Sequence, residues 1–229
     1  MKNTRQISLL VIMWFLVGLS ILICSMFGVT RQKTSQFVSI ALWILVIDLI
    51  LYFPILQVFK SISSSYLVMF IVVFLPYLLL IYISQTTIYL SGNPHRVIVI
   101  LVIFILLSLD TILRFHFQRN KLSRDFDKSP QAFGIDRKSY VGSFDIRLPS
   151  DTGEWFYSQG RLFQTTFALT PIIIRVILRS NEMIRDPLTH GLILSTVVIV
   201  SNEEVLKLLF LGILLKKLET DTGKVIMKK

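Results

Sequence analysis

Four long apolar runs separated by short polar breaks occupy the first half of the chain, at residues 8–29, 37–58, 66–90 and 97–113. A membrane crossing needs about 20 mostly apolar residues, with a range of roughly 17–25. Hydrocarbon offers no partners for backbone amides, so each run is expected to be a helix despite its many Ile, Val and Phe residues. The pattern predicts four transmembrane helices. The first run follows Lys2 and Arg5, as a signal peptide would, but its apolar stretch exceeds a typical signal core and no Ala-x-Ala-like site follows. An uncleaved first span is expected.

From His116 onward the pattern changes. Residues 116–138 mix charges with Pro and Gly and read as a solvated connector with one short helix. Phe144, Ile146 and Leu148 then alternate with Asp145 and Arg147, and Pro149 to Gly153 form a turn cluster. That spacing predicts a hairpin from about Tyr140 to Phe163. Residues 171–179 fit a strand or a short buried helix, with the β-branched content and the arginines favouring a strand, and the β-branched residues 191–201 read as a buried strand. Residues 202–219 read as a helix capped by Ser201 or Asn202, with Glu203 and Glu204 in its first turn and Lys216 and Lys217 in its last.

The expected fold is thus a polytopic α-helical membrane protein: four transmembrane helices in residues 1–115, followed by a small C-terminal α+β domain in 116–229. A rival reading fuses residues 191–215 into a fifth span. It has the right length but places Asn202, Glu203 and Glu204 at its middle, and buried carboxylates there are costly. In a third arrangement the apolar helix 205–218 lies along the membrane surface.

Composition sharpens this division. Among 229 residues, 53% are hydrophobic and 17% charged. The first 113 residues contain just six basic and two acidic side chains, whereas the remainder contains 18 and 12. Such a chain is neither disordered nor a disulfide scaffold nor one soluble globule. With four spans, Lys2, Arg5, Lys60, Arg114, Arg119, Lys121 and Arg124 share one side, and Arg31, Lys33 and Arg96 the other. The basic excess predicts both termini on the cytoplasmic or matrix side. Arg114, Arg119, Lys121 and Arg124 directly follow a span and are expected to fix topology and meet anionic lipid headgroups.

Two acids lie within the spans. Asp48 sits near the centre of the second and Asp110 near the end of the fourth. An Asp at the bilayer centre costs about 2.5–3.5 kcal/mol, so each needs a partner or water. Asp110 has Arg114 four residues on, a helical pairing distance. No basic side chain can reach Asp48 in that way, which makes it a candidate intramembrane polar group or pore lining.

Other chemistry is sparse. Three histidines (His95, His116, His190) and one cysteine (Cys24) have no metal-ligand spacing, and no glycine-rich nucleotide loop occurs. Basic residues of the second half are interleaved with acids, so nucleic acid is not an expected partner despite an excess of 24 basic over 14 acidic residues. Neither a cofactor nor a metal is expected.

Glu203-Glu204-Val205-Leu206-Lys207 resembles the first motif, paired glutamates followed by a basic residue, of the PrsW and CAAX-type intramembrane protease families. The resemblance covers about 15 residues and implies that the glutamates activate water. The families' later histidine motifs have no counterpart after Lys207.

The leading expectation is a non-enzymatic membrane protein whose C-terminal region binds a ligand or partner and couples to the helices, as an oligomeric pore or effector. The alternatives are a packing subunit of a larger membrane complex, such as an organellar energy-transducing assembly, and a hydrolase using Glu203 and Glu204. The lipid bilayer, further copies of the chain or other membrane subunits are the expected partners.

Overall fold

The computed structural model describes residues 4–26, 29–57, 60–128, 135–136, 141–142, 169, 173 and 187–228. Helices α1 (Thr4–Met26), α2 (Arg31–Gln57), α3 (Ile62–Leu90) and α4 (Arg96–Lys128) come first. Two-residue strands β1 (Ile135–Asp136) and β2 (Val141–Gly142) follow. A 36-residue helix, α5 (Pro187–Thr222), and the two-residue strand β3 (Met227–Lys228) complete the described chain.

Three segments are long and apolar enough to cross a membrane: Arg31–Tyr52, Ile62–Leu90 and Arg96–His116. They indicate a membrane location. The described apolar stretch of α1, Leu10–Met26, is shorter. Large apolar side chains such as Phe15, Trp43, Ile50 and Phe104 are exposed on α1, α2 and α4, as they are on a helix that faces lipid.

Helix α3 is the centre of the bundle. It carries no charged side chain, and α1, α2, α4 and α5 all pack on it. Ser61 caps its start, accepting from the Ser64 amide at 3.4 Å. Gly92, at φ 69°, turns the chain into α4, and the Asn93 side chain accepts from the His95 amide at 2.8 Å. A positive φ is open to glycine at little cost.

Among the described residues the expected C-terminal α+β domain is not seen. The described structure is about 90% helical. The extended pieces amount to a narrow ribbon, in which β1 pairs antiparallel with β2 and β2 parallel with β3. It is tied to the start of α3 by a bridge between Ser61 and Met227 and by the Ile62 amide donating to the Ile226 carbonyl at 3.1 Å. Residues 191–201, read as a strand, form the first part of α5. Residues 202–219, read as a separate helix, are its continuation. The connector expected from His116 is helical as far as Lys128. The hairpin expected over 140–163 lies outside the described residues apart from Val141 and Gly142. Of the strand expected at 171–179, Ile173 is described, and it is helical.

The physical reason for the correction is close packing. Helix α5 runs antiparallel to α3, with Ser84 beside Ser195, Tyr77 beside Asn202 and Ser63 beside Glu219. A β-carbon on Gly191 would lie 2.9 Å from the Ile88 backbone nitrogen, and one on Gly212 would lie 2.7 Å from Leu67 Cδ2. Small residues let the two backbones approach. A segment buried in this way must satisfy its amides internally, and a helix does so where an unpaired strand cannot. The β preference of Ile, Val and Thr, worth at most about 1 kcal/mol, is overridden.

Helix α4 runs parallel to α5. Leu188 and Leu192 pack with Val99 and Ile103, while Phe210 meets Phe115 edge-on at 5.5 Å between ring centroids. The start of α5 therefore lies at the α3–α4 turn. Its end lies beside Ser61 at the opposite end of the bundle.

Candidate functional site

Midway along α5, four residues in a stretch of six are polar or charged: Asn202, Glu203, Glu204 and, three further on, Lys207. They meet the acid and base of α4. The Arg114 Nε donates to Asp110 Oδ2 at 2.8 Å, and both side chains are at most 5% exposed. Arg114 Nη1 reaches across to Glu203 Oε2 at 3.2 Å. Lys207 Nζ lies 2.8 Å from Glu203 Oε1 and 2.7 Å from Glu204 Oε1. Charge thus alternates along one chain of contacts, from Asp110 through Arg114, Glu203 and Lys207 to Glu204.

Neutral groups complete the network. The Asn202 amide donates to Asp110 Oδ2 at 2.8 Å and to Thr111 Oγ1 at 3.1 Å. The Tyr77 hydroxyl of α3 donates to the Asn202 carbonyl oxygen at 3.2 Å. Three helices therefore converge on one asparagine. Helical periodicity makes this possible: Asp110 and Arg114, like Glu203 and Lys207, are four residues apart and share a face. The pairing between α4 and α5 compensates charges that neither helix could bury alone.

Glu203 and Glu204 were expected in a helix's first turn. They lie in the interior of α5, and a helix dipole plays no part in their placement. The carboxylate of Glu203 is occupied by two cations, an arrangement that fastens helices. Glu204 is bound by Lys207 and its side chain is 53% exposed. A water-activating carboxylate needs a free oxygen aimed at the reacting water and a second group to move the proton. The contacts of Glu203 provide neither, and Glu204 has an open side.

The other candidates are dispersed. Asp48 of α2 is buried and accepts from Trp14 Nε1 of α1 at 3.0 Å. Its second oxygen has no hydrogen-bond partner among the described residues. Among the described residues no hydrogen bond or ion pair joins it to the α4–α5 network. Arg119, Lys121 and Arg124 lie on the extension of α4 beyond His116. The Arg124 side chain is exposed, with its Nε 3.4 Å from the Asn120 carbonyl; those of Arg119 and Lys121 lie outside the described positions. Among the described residues no three His, Cys, Asp or Glu side chains form a group able to hold a metal.

A second polar centre escaped the sequence reading. Glu219, near the end of α5, accepts from Ser61 Oγ at 2.8 Å, Ser63 Oγ at 2.6 Å and the Ile226 amide at 3.1 Å, with Lys216 Nζ 3.4 Å away. Its side chain is 4% exposed. One carboxylate thereby joins the end of α5, the start of α3 and the residue before β3. The signal lay in Ser61-Ile62-Ser63, two hydroxyls flanking a helix start. Nothing in the sequence pointed from there to residue 219.

No protein family, curated protein or solved structure matches the chain. The likeness of Glu203-Glu204 to the intramembrane protease motif therefore rests on those few residues alone.

Proposed function

We propose that this is a non-enzymatic, multi-pass membrane protein in which α5 couples events at one aqueous face to the interior of the helix bundle. The observation that carries the reading is the continuity of α5 from Pro187 to Thr222. A helix of 36 residues is about 54 Å long. Near its end it is held by Ser61 and Ser63 through Glu219. Its middle carries the buried network, level with the middle of α3. A stiff helix fixed at both places transmits a displacement at the ribbon to the charged centre, because a closely packed interior does not absorb it locally. A ligand or partner bound at the ribbon end is the natural input.

In this reading both termini occupy one face. Helix α1 approaches the α3–α4 turn with its later half, where Cys24 Sγ lies 3.3 Å from Thr87 Oγ1, so its start lies at the Ser61 end. Lys60, Arg124, Lys216, Lys217 and Lys224 belong to that end too, which favours the cytoplasmic or matrix side and anionic headgroups as neighbours.

Hydrogen exchange on the protein in lipid nanodiscs tests the coupling. Glu219→Gln is expected to speed exchange both at residues 225–228 and at residues 199–207, about three to six helical turns away. Faster exchange at residues 225–228 alone contradicts coupling.

A packing role in a larger membrane complex is the second reading, and the exposed carboxylate of Glu204 at mid-bundle favours it. Extraction in mild detergent would then recover partners in fixed stoichiometry. A monodisperse lone chain argues against that role.

A further inference from the structure

Glu204 carries an exposed carboxylate at the level of the bundle's middle. Two residues before it, Asn202 accepts from Tyr77 of α3 at 3.2 Å, and Tyr77 lies near the midpoint of Ile62–Leu90, a candidate membrane span. Two helical residues rise about 3 Å, so Glu204 sits close to that level. Its side chain is 53% exposed. A carboxylate at such a depth is costly unless a partner or water meets it.

Contacts inside the bundle do not balance this charge. Among the described residues, Lys207 is the cation that reaches Glu204, and the same ammonium also holds Glu203. Arg114 is likewise shared, between Asp110 and Glu203. Three carboxylates therefore face two cations, and the excess negative charge falls to the member with the open side.

The surface around Glu204 has the pattern of a helix contact. Ile193, Val197, Val200, Glu204 and Lys207 follow one another at spacings of four, three, four and three, which keeps them on one narrow face. Ile193 and Val200 are 49% and 46% exposed, whereas Leu192, Leu194, Ile199 and Val205, to either side of the stripe, are buried. We infer that this stripe docks a transmembrane helix of a partner subunit, one that carries a single lysine or arginine at the level of Glu204 and apolar side chains against Ile193, Val197 and Val200. The basic group balances the excess charge and fixes the depth at which the two helices meet. A second copy of the chain fits less well, because a two-fold contact sets the same face against itself and brings a further excess negative charge to the same level. The docking face supplies the packing role with its partner, and so rests on that reading and on α5 lying at membrane depth.

Synthetic apolar helices of about 20 residues, reconstituted with the protein in nanodiscs, test it. Energy transfer from a dye on Lys224→Cys, in a Cys24→Ser background, reads their binding. A helix with one central lysine is expected to bind roughly tenfold more tightly than the same helix with that lysine moved to its end. The preference should disappear in Glu204→Gln and pass to a helix with a central glutamate in Glu204→Lys. Equal binding of the two lysine helices to the chain with Glu204 intact overturns the proposal without relying on a variant. Energy transfer between copies of the chain that Glu204→Gln abolishes, with no preference for the central lysine, assigns the face to a second copy and overturns it too. Extraction in mild detergent separates it from the packing role. Partners recovered in fixed stoichiometry by both the wild type and Glu204→Gln retain that role and overturn Glu204 as its contact, whereas a lone chain together with no lysine preference removes both.

Discussion

Arg114 of α4 lies 3.2 Å from Glu203 of α5 while also holding Asp110 at 2.8 Å. One guanidinium is thus shared between an acid on its own helix and an acid 89 positions later. Removing one member of a buried charge group leaves the others uncompensated, a loss of about 3–5 kcal/mol. Arg114→Met is expected to destabilise the bundle by about that amount in reversible unfolding from bicelles. The triple variant Asp110→Asn, Arg114→Met, Glu203→Gln should recover much of it, since no charge of that trio is then left alone. A triple variant as unstable as the single one would show that the charges are not the issue.

Gly191 is a packing position. Alanine there places a β-carbon 2.9 Å from the Ile88 backbone nitrogen, so α5 or α3 has to shift. Overpacking of this type costs about 1–3 kcal/mol. Gly191→Ala should lower stability in that range. Gly18→Ala, where a β-carbon meets nothing within 4 Å, should be neutral or slightly stabilising. Equal effects at the two positions would refute the close α3–α5 approach.

Trp14 and Asp48 define the α1–α2 contact. Trp14→Phe removes the indole donor at small change in shape, and a hydrogen bond contributes about 0.5–1.5 kcal/mol, or about 1.5–3 kcal/mol when the acceptor is charged. The loss should be smaller when Asp48 is already Asn. If the pair instead serves a conducting path, Asp48→Asn will change ion flux in proteoliposomes while the fold persists. Unchanged flux would leave Asp48 with a packing role.

The helices long and apolar enough to cross a membrane were legible because length and apolarity alone specify them: α3 contains no charged residue, and α2 one acid in its apolar part. Helix α5 was not legible for two reasons. Its first part, with Val197, Val198 and Ile199, has the side chains that strands prefer, and only its burial against α3 decides for helix. Its centre has Glu203 and Glu204, whose cost as isolated carboxylates argued against a continuous span. For Glu203 that cost is offset by Arg114 together with Lys207, and nothing in the local sequence of α5 refers to Arg114; Glu204 is paired by Lys207. The clue was distributed: Asp110 with Arg114 and Glu203 with Lys207 are two opposite-charge pairs at the same spacing, each within an apolar run. Asn202, Tyr77 and Thr111, which complete the network, have no such signature. Glu219 was read as the end of an isolated helix because its partners, Ser61 and Ser63, are more than 150 positions away.

The central claim, that α5 is held within the bundle through its charged middle, is tested most directly by a double-mutant cycle on Arg114 and Glu203 in lipid. Stability is measured for the wild type, Arg114→Met, Glu203→Gln and the double variant. Residues in one ion-pair network couple by about 0.5–3 kcal/mol, and a coupling of at least 1 kcal/mol is expected here because both side chains are largely buried. Effects that add to within about 0.5 kcal/mol would mean that the two helices do not meet through this pair.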